Sequence, residues 1–157
     1  MTMTDTNPTQ LVIPALKPVY SALDDIAFAG LRITTGLFLV PHGAQKLFGM
    51  FGGYGLEATG QFFQTQLGFA NGYLAALAAG SIEVFAGLAL ALGLFTRVAA
   101  GAVAVLLAVA ATIHLSAGFF WSNGGWEYAA LWTILAAYFV VKGGGRLSVD
   151  RAIGREV

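Results

Sequence analysis

Six ionisable side chains stand inside or at the edges of the long apolar stretches of this sequence: Arg32, His42, Lys46, Glu83, His114 and Glu127. A charged group inside a bilayer costs about 2.5–3.5 kcal/mol on insertion scales, so such groups usually pair with one another or line a functional site. Imidazole, carboxylate and ammonium groups can bind polar ligands or carry protons. The sequence therefore predicts that ionisable side chains inside the apolar stretches pair with one another, bind a polar ligand or carry protons.

Arg32 and Glu83 are expected to form a structural ion pair. At about 1.5 Å of rise per residue, Arg32 lies roughly 10 Å from the side at which the first helix starts, and Glu83 lies roughly 15 Å deep, near the midplane. Gly80 and Gly87 share the helix face of Glu83, and small residues let helices approach closely. We predict that the pair fixes the register of two helices. The functional alternative is a proton path, with Glu83 as the site of a small proton-coupled transporter.

The other four groups converge in the outer half of the framework. His42 and His114 both lie roughly 25 Å from the inner side by the same count, with Lys46 one turn beyond His42 and Glu127 at the start of a later helix. We predict that these four residues bind the polar head group of a small ligand. The alternatives are a histidine pair without a ligand, snorkelling of Lys46 to the headgroups, and ligation of haem b by both histidines. No metal site is assigned.

The framework that positions these residues is that of an integral membrane protein. The chain has 157 residues, of which 57% are hydrophobic and only 10% are charged, and its mean hydropathy is +0.75. Soluble domains carry roughly 25% charged residues. Eight basic and eight acidic residues give no net charge, which excludes a nucleic-acid-binding surface. The absence of cysteine excludes thiol catalysis, iron–sulfur clusters and disulfides.

We predict an all-α fold, an integral membrane four-helix bundle. Four stretches are long enough to cross about 30 Å of hydrocarbon, namely residues 26–50, 73–95, 98–120 and 126–141. A short helix lying in the membrane interface is expected between spans one and two, over residues 56–67, with a packed loop as the alternative. The domain boundaries are a flexible cytoplasmic tail (1–24), the four-span domain (25–143) and a basic cytoplasmic tail (144–157).

The orientation follows from the basic residues near the span ends. With the N-terminus inside, six fall on the inner side: Lys17, Arg97, Lys142, Arg146, Arg151 and Arg155. Only Lys46 approaches the outer side. Because Lys and Arg concentrate in cytoplasmic loops, we predict a multi-pass protein with both termini in the cytoplasm.

Several segments, taken in order, resemble the DoxX family of small bacterial membrane proteins. They are Pro41-His42-Gly43-Ala44-Gln45-Lys46-Leu47-Phe48-Gly49, Gly93-Leu94-Phe95-Thr96-Arg97, Gly125-Trp126-Glu127-Tyr128 and the tail Gly143-Gly144-Gly145-Arg146-Leu147-Ser148-Val149-Asp150. The resemblance covers residues 31–150, and it departs from the family where Gly144 replaces the proline of a Gly-Pro-Gly turn. It implies a four-helix protein of the bacterial inner membrane.

The resemblance also implies a role, because some relatives are described as subunits of quinone-linked oxidoreductases. We therefore expect a non-catalytic accessory subunit of a quinone-linked or other redox system, placed in lipid beside a protein partner or a second copy. A quinone would occupy the site at His42, Lys46, His114 and Glu127, since quinone reduction needs protons at its oxygens. The alternatives are an assembly or anchoring protein, the transporter, and a haem b carrier.

Overall fold

A computed structural model describes residues 10–156, and within them the chain is helical with no strands. A short 3-10 turn, Pro14–Leu16, precedes the first helix. The main helices are α1 (Lys17–Leu37), α2 (Leu39–Phe48), α3 (Gly55–Thr65), α4 (Gly72–Leu92), α5 (Thr96–Ile113), α6 (Glu127–Lys142) and α7 (Val149–Ile153). The all-α prediction is thus confirmed for the described residues.

The predicted first span is two helices, α1 and α2, which meet at Phe38. Pro41 explains this break, because proline has no N–H to donate to the carbonyl of Leu37 and its ring crowds that carbonyl. At the other end, Gly49 closes α2 with a left-handed backbone (φ 68°). This conformation suits glycine because it has no Cβ.

Two helices are long and apolar enough to cross a membrane, α4 with 21 residues and α5 with 18. Helix α1 fails the same criteria because Asp24, Asp25 and Arg32 interrupt its apolar sequence, and α6 has only 16 residues. Membrane association therefore rests on α4 and α5, and the four-span bundle stays a prediction.

Helices α1 and α2 run antiparallel to α4 along a seam of glycines. A Cβ added to Gly43 would lie 2.6 Å from the carbonyl oxygen of Gly80, and a Cβ added to Gly87 would lie 2.8 Å from that of Gly36. Because the backbones touch at these points, no larger side chain fits. The seam sets one register, with Gly36 opposite Gly87 and Gly43 opposite Gly80.

Three predicted boundaries are corrected by the structure. Helix α1 begins at Lys17, so residues 17–24 are helical instead of forming a tail, while residues 1–9 lie outside the described part. Helix α5 ends at Ile113, so residues 114–120 are not part of the third span. Residues 144–156 are folded against the bundle and include α7.

The short helix predicted between the first two spans is present as α3, which packs on α4.

Candidate functional site

An ion pair joins Lys46 of α2 to Glu83 of α4. The Lys46 ammonium lies 2.9 Å from Oε1 and 2.8 Å from Oε2 of Glu83, and it also donates to the carbonyl oxygen of His42 at 3.4 Å. The Glu83 side chain is 10% exposed and that of Lys46 is 25% exposed. The two opposite charges therefore neutralise each other at a partly buried place, where the ammonium side chain is more accessible than the carboxylate side chain.

The backbone around this pair is irregular. Residues Ile82–Ala86 form a single π-helical turn within α4, and such turns occur frequently at functional sites. Gly43, one turn before Lys46, lies against the Cβ of Glu83 and against Val84. The close approach at Gly43 and the wider turn at Glu83 together bring the carboxylate within reach of Lys46.

The predicted ion pair between Arg32 and Glu83 is wrong. The Arg32 side chain is 1% exposed and donates to three carbonyl oxygens, those of Gly144, Leu147 (2.8 Å) and Ala91 (3.3 Å). A guanidinium group has five N–H donors in a planar fork, so it can hold several carbonyls at once. Its Nε has no partner among the described residues.

The helix register explains why Arg32 and Glu83 do not meet. Gly36 of α1 lies opposite Gly87, and Gly43 of α2 lies against both Gly80 and the Cβ of Glu83. Gly43 is eleven residues from Arg32, which is about 16 Å at 1.5 Å per residue. Lys46 lies one turn beyond Gly43, and its side chain leans toward the N-terminus of its helix. This direction lets it reach Glu83.

Arg32 and Asp150 fasten the C-terminal segment to one end of the bundle, which we call the tail end. Asp150 Oδ1 accepts from the Phe95 N–H at 2.7 Å, and Oδ2 accepts from the N–H (2.9 Å) and hydroxyl (2.6 Å) of Thr96. Burial opposes ionisation, but these hydrogen bonds and the charge of Arg32 together lower the pKa of Asp150. The carboxylate thus satisfies N–H groups at the start of α5, where a negative charge is favourable.

His114 and Glu127 hold a loop at the opposite end, which we call the loop end. His114 Nδ1 lies 2.8 Å from the carbonyl oxygen of Gly124, and because a carbonyl only accepts, Nδ1 carries the hydrogen. Glu127 Oε1 accepts from the Trp121 N–H at 2.9 Å. Each of these predicted ligand-binding residues therefore has a partner within the loop that joins α5 to α6.

His42 differs from His114 because its residue is exposed. Its ring makes no hydrogen bond with the described residues, and no hydrogen bond or ion pair joins the two histidines or links Lys46 to Glu127 there. Two cavities lie elsewhere, one at the tail end and one beside α3. The structure thus brings Lys46 to Glu83, whereas the four-residue ligand site stays a prediction.

The sequence reasoning missed two participants at the tail end, Thr96 and Asp150. The signal for Asp150 was an acidic residue in a segment where basic residues outnumber acidic ones. It follows Ser148, whose hydroxyl accepts from the Arg151 N–H at 3.1 Å and caps α7. The signal for the Lys46–Glu83 register was a matching seven-residue spacing of glycines, with Gly36 and Gly43 along α1 and α2 and with Gly80 and Gly87 along α4.

Comparison with known proteins identifies one family. The DoxX family model matches residues 27–116, which is more than half of the chain and includes the glycine seam and both partners of the ion pair. Curated proteins and solved structures gave no significant match. The chain therefore belongs to the DoxX family of small membrane proteins.

Proposed function

We propose that the protein is an accessory subunit of a quinone-linked redox system in the bacterial inner membrane, with a polar site at the loop end. The observation that carries the proposal is the Lys46–Glu83 ion pair, which is 10% exposed at the carboxylate and 25% exposed at the ammonium side chain. Replacing a buried ion pair by apolar residues is often neutral or stabilising, so stability alone is a poor reason to keep one in lipid. Ionisable groups in spans mark functional sites by default.

The side chains near this pair suit a quinone head group, which presents carbonyl oxygens as acceptors. The ring of His42 is exposed and makes no hydrogen bond with the described residues, so it has a donor to offer. Lys46 already donates to Glu83 and to the His42 carbonyl. We therefore assign the direct contact to His42, while Lys46 supplies positive charge beside the quinone oxygens.

Each residue of the site then has a distinct task. A bound quinone supplies the electron-accepting chemistry, and a partner protein supplies the electrons. His42 delivers or removes a proton, since imidazole titrates near neutral pH. Glu83 holds the Lys46 ammonium in place through both of its oxygens. His114 and Glu127 take part by fixing the loop at the same end of the bundle.

The proposal is tested by the quinone content of the full chain, purified in mild detergent from bacterial membranes and extracted for chromatography. We expect quinone to remain with the protein, and we expect His42→Leu to lower the retained amount about fivefold, the equivalent of one hydrogen bond of about 1 kcal/mol. Gln66→Leu is the matched control, because Gln66 is an exposed polar residue at the end of α3 and its loss should leave the quinone content unchanged.

Other results would favour other functions. The main alternative is an assembly or anchoring protein, favoured by the fact that Lys46 and Glu83 satisfy each other across two helices. Equal quinone content in wild type and His42→Leu would support that alternative and contradict the quinone site. A Soret band in the visible spectrum of the purified protein would instead identify a haem b carrier.

A further inference from the structure

A cavity of about 500 Å³ opens at the tail end between the end of α6 and the C-terminal segment. Its charged lining consists of Lys142, Arg146, Arg151, Arg155, Asp150 and Glu156. Basic side chains therefore outnumber acidic ones in a chain whose total charge is zero. The cavity lies away from Lys46 and Glu83, and the proposed quinone site does not use it.

The two acidic side chains of the cavity are already engaged by the protein. Asp150 is 3% exposed and accepts three hydrogen bonds from Phe95 and Thr96. Glu156 pairs with Arg97 at 3.5 Å and accepts from the Gly144 N–H at 3.2 Å. Asp150 is thus held inside the protein beside the charge of Arg32, and Glu156 is paired with Arg97, so the lining keeps an excess of positive charge.

Three of the four basic side chains lack a counter-charge in the described part of the chain. Arg146 lies 3.4 Å from Asp25, but Lys142, Arg151 and Arg155 make no ion pair with a described residue. Three uncompensated cations around one opening create a local positive potential that attracts anions.

The surroundings of the cavity favour a lipid over a soluble anion. Exposed apolar side chains alternate with the basic ones in sequence: Val141 is 73% exposed, Leu147 54% and Ile153 54%. Lys142 is the last residue of α6, the helix predicted as the fourth span. Basic residues at the cytoplasmic end of a membrane helix are where anionic headgroups gather, and apolar neighbours can enter the acyl region.

We propose that this cavity binds the phosphate headgroup of an anionic phospholipid, held by Lys142, Arg151 and Arg155. The phosphate oxygens accept hydrogen bonds from the ammonium and guanidinium groups, while Val141 and Ile153 contact the acyl chains. Bound lipid would also bridge α6 and the C-terminal segment, both of which line the cavity.

The test is a native mass spectrometry titration of the full chain in detergent with phosphatidylglycerol and with phosphatidylcholine. We expect phosphatidylglycerol to bind at least fivefold more tightly. Lys142→Gln and Arg155→Gln should each weaken phosphatidylglycerol binding about fivefold, since each basic residue near an anionic surface contributes about that factor. Lys17→Gln is the matched control, because it removes one exposed basic residue of α1 that does not line the cavity.

Three results would overturn the proposal. The first is equal affinity of both lipids for the wild type. The second is a loss in Lys17→Gln as large as in Lys142→Gln, because the attraction would then be diffuse. The third is displacement of phosphatidylglycerol by inorganic phosphate but not by chloride at the same ionic strength, which would assign the cavity to free phosphate. Two cavity variants are used, so that misfolding of one does not decide the result. Quinone retention is a separate measurement, so the lipid proposal and the quinone proposal can fail independently.

Discussion

At the scale of single residues, Lys46 and Arg32 satisfy their charges in different ways. Lys46 places a compact ammonium group against one carboxylate, whereas the planar guanidinium of Arg32 spreads over three backbone carbonyls from α4 and the C-terminal segment. The difference follows from the chemistry of the two side chains, because Arg has five N–H donors in one plane whereas Lys has a compact charged ammonium group. Arg32 thus joins segments, while Lys46 neutralises Glu83.

Removing either partner of the ion pair is expected to destabilise the protein. Lys46→Gln and Glu83→Gln should each lower the free energy of unfolding by about 2–3 kcal/mol, less than the roughly 3–5 kcal/mol of a fully buried pair, because Lys46 is partly exposed. The double variant should lose little more than either single variant, since the unpaired charge is then gone. Chemical unfolding in detergent gives the three values.

Glu57→Gln serves as the control for that cycle, because Glu57 is exposed and forms no ion pair with the described residues. Its effect should stay within about 0.5 kcal/mol. Strictly additive losses in the double variant would contradict a direct interaction between Lys46 and Glu83.

At the scale of helices, the glycine seam decides which residues of α1 and α2 face which residues of α4. Gly36 and Gly43 permit backbone contact with Gly87 and Gly80, and in lipid such close packing replaces the hydrophobic effect as the source of helix association. The seam also sets the depth at which Glu83 meets its partner. Sequence periodicity identifies the small-residue faces but does not state how two faces align.

Two glycines of α1 provide a test of the seam. A Cβ on Gly36 would touch the Gly87 carbonyl and lie 2.6 Å from the Ala91 nitrogen, whereas a Cβ on Gly30 would meet no atom within 4 Å. Gly36→Ala should therefore destabilise the protein by about 1–3 kcal/mol through overpacking. Gly30→Ala should stabilise it by up to about 1 kcal/mol, because alanine is the better helix former.

Thermal unfolding of the two variants in the same detergent measures the difference. Equal changes in the unfolding temperature of Gly36→Ala and Gly30→Ala would contradict close backbone contact at Gly36.

At the scale of the whole molecule, the two ends of the bundle have different chemistry. The tail end carries the packed C-terminal segment with Arg32, Asp150 and the basic cavity. The loop end carries exposed aromatic side chains, with Phe120 63% and Trp121 56% exposed. Only 22% of the apolar window of α5 is buried within the chain, which leaves most of that helix for lipid or for a partner.

The basic residues of the tail end predict that both termini are cytoplasmic. Alkaline phosphatase fused after Val157 should be inactive, because it folds only outside the cytoplasm, while the same enzyme inserted at Gly68 should be active. Gly68 suits the insertion because it is exposed, has a left-handed backbone (φ 74°) and has no atom within 4 Å of an added Cβ. Activity of the C-terminal fusion together with inactivity of the Gly68 fusion would invert the topology.

The amino-acid sequence by itself determined the properties that depend on neighbouring residues. Runs of apolar residues predicted helices near those observed for α4 and α6, the helix between the first two spans appeared as α3, and the motifs predicted the family that the comparison confirmed. Local signals such as Pro41 and Gly49 have direct backbone consequences. Helix positions, local helix breaks and family motifs can therefore be predicted without knowing which segments of the chain contact one another.

Only the tertiary structure decided how the polar side chains are paired. Counting depth along a helix ignores its rotation, its register against the partner and the reach of its side chains, so the count assigned Glu83 to Arg32 while the glycine seam gave it to Lys46. It also could not foresee that Arg32 would bind carbonyls of a segment more than a hundred residues away. Pairing depends on three-dimensional proximity, which the chain acquires only when the seam closes and residues 144–156 pack beside Arg32.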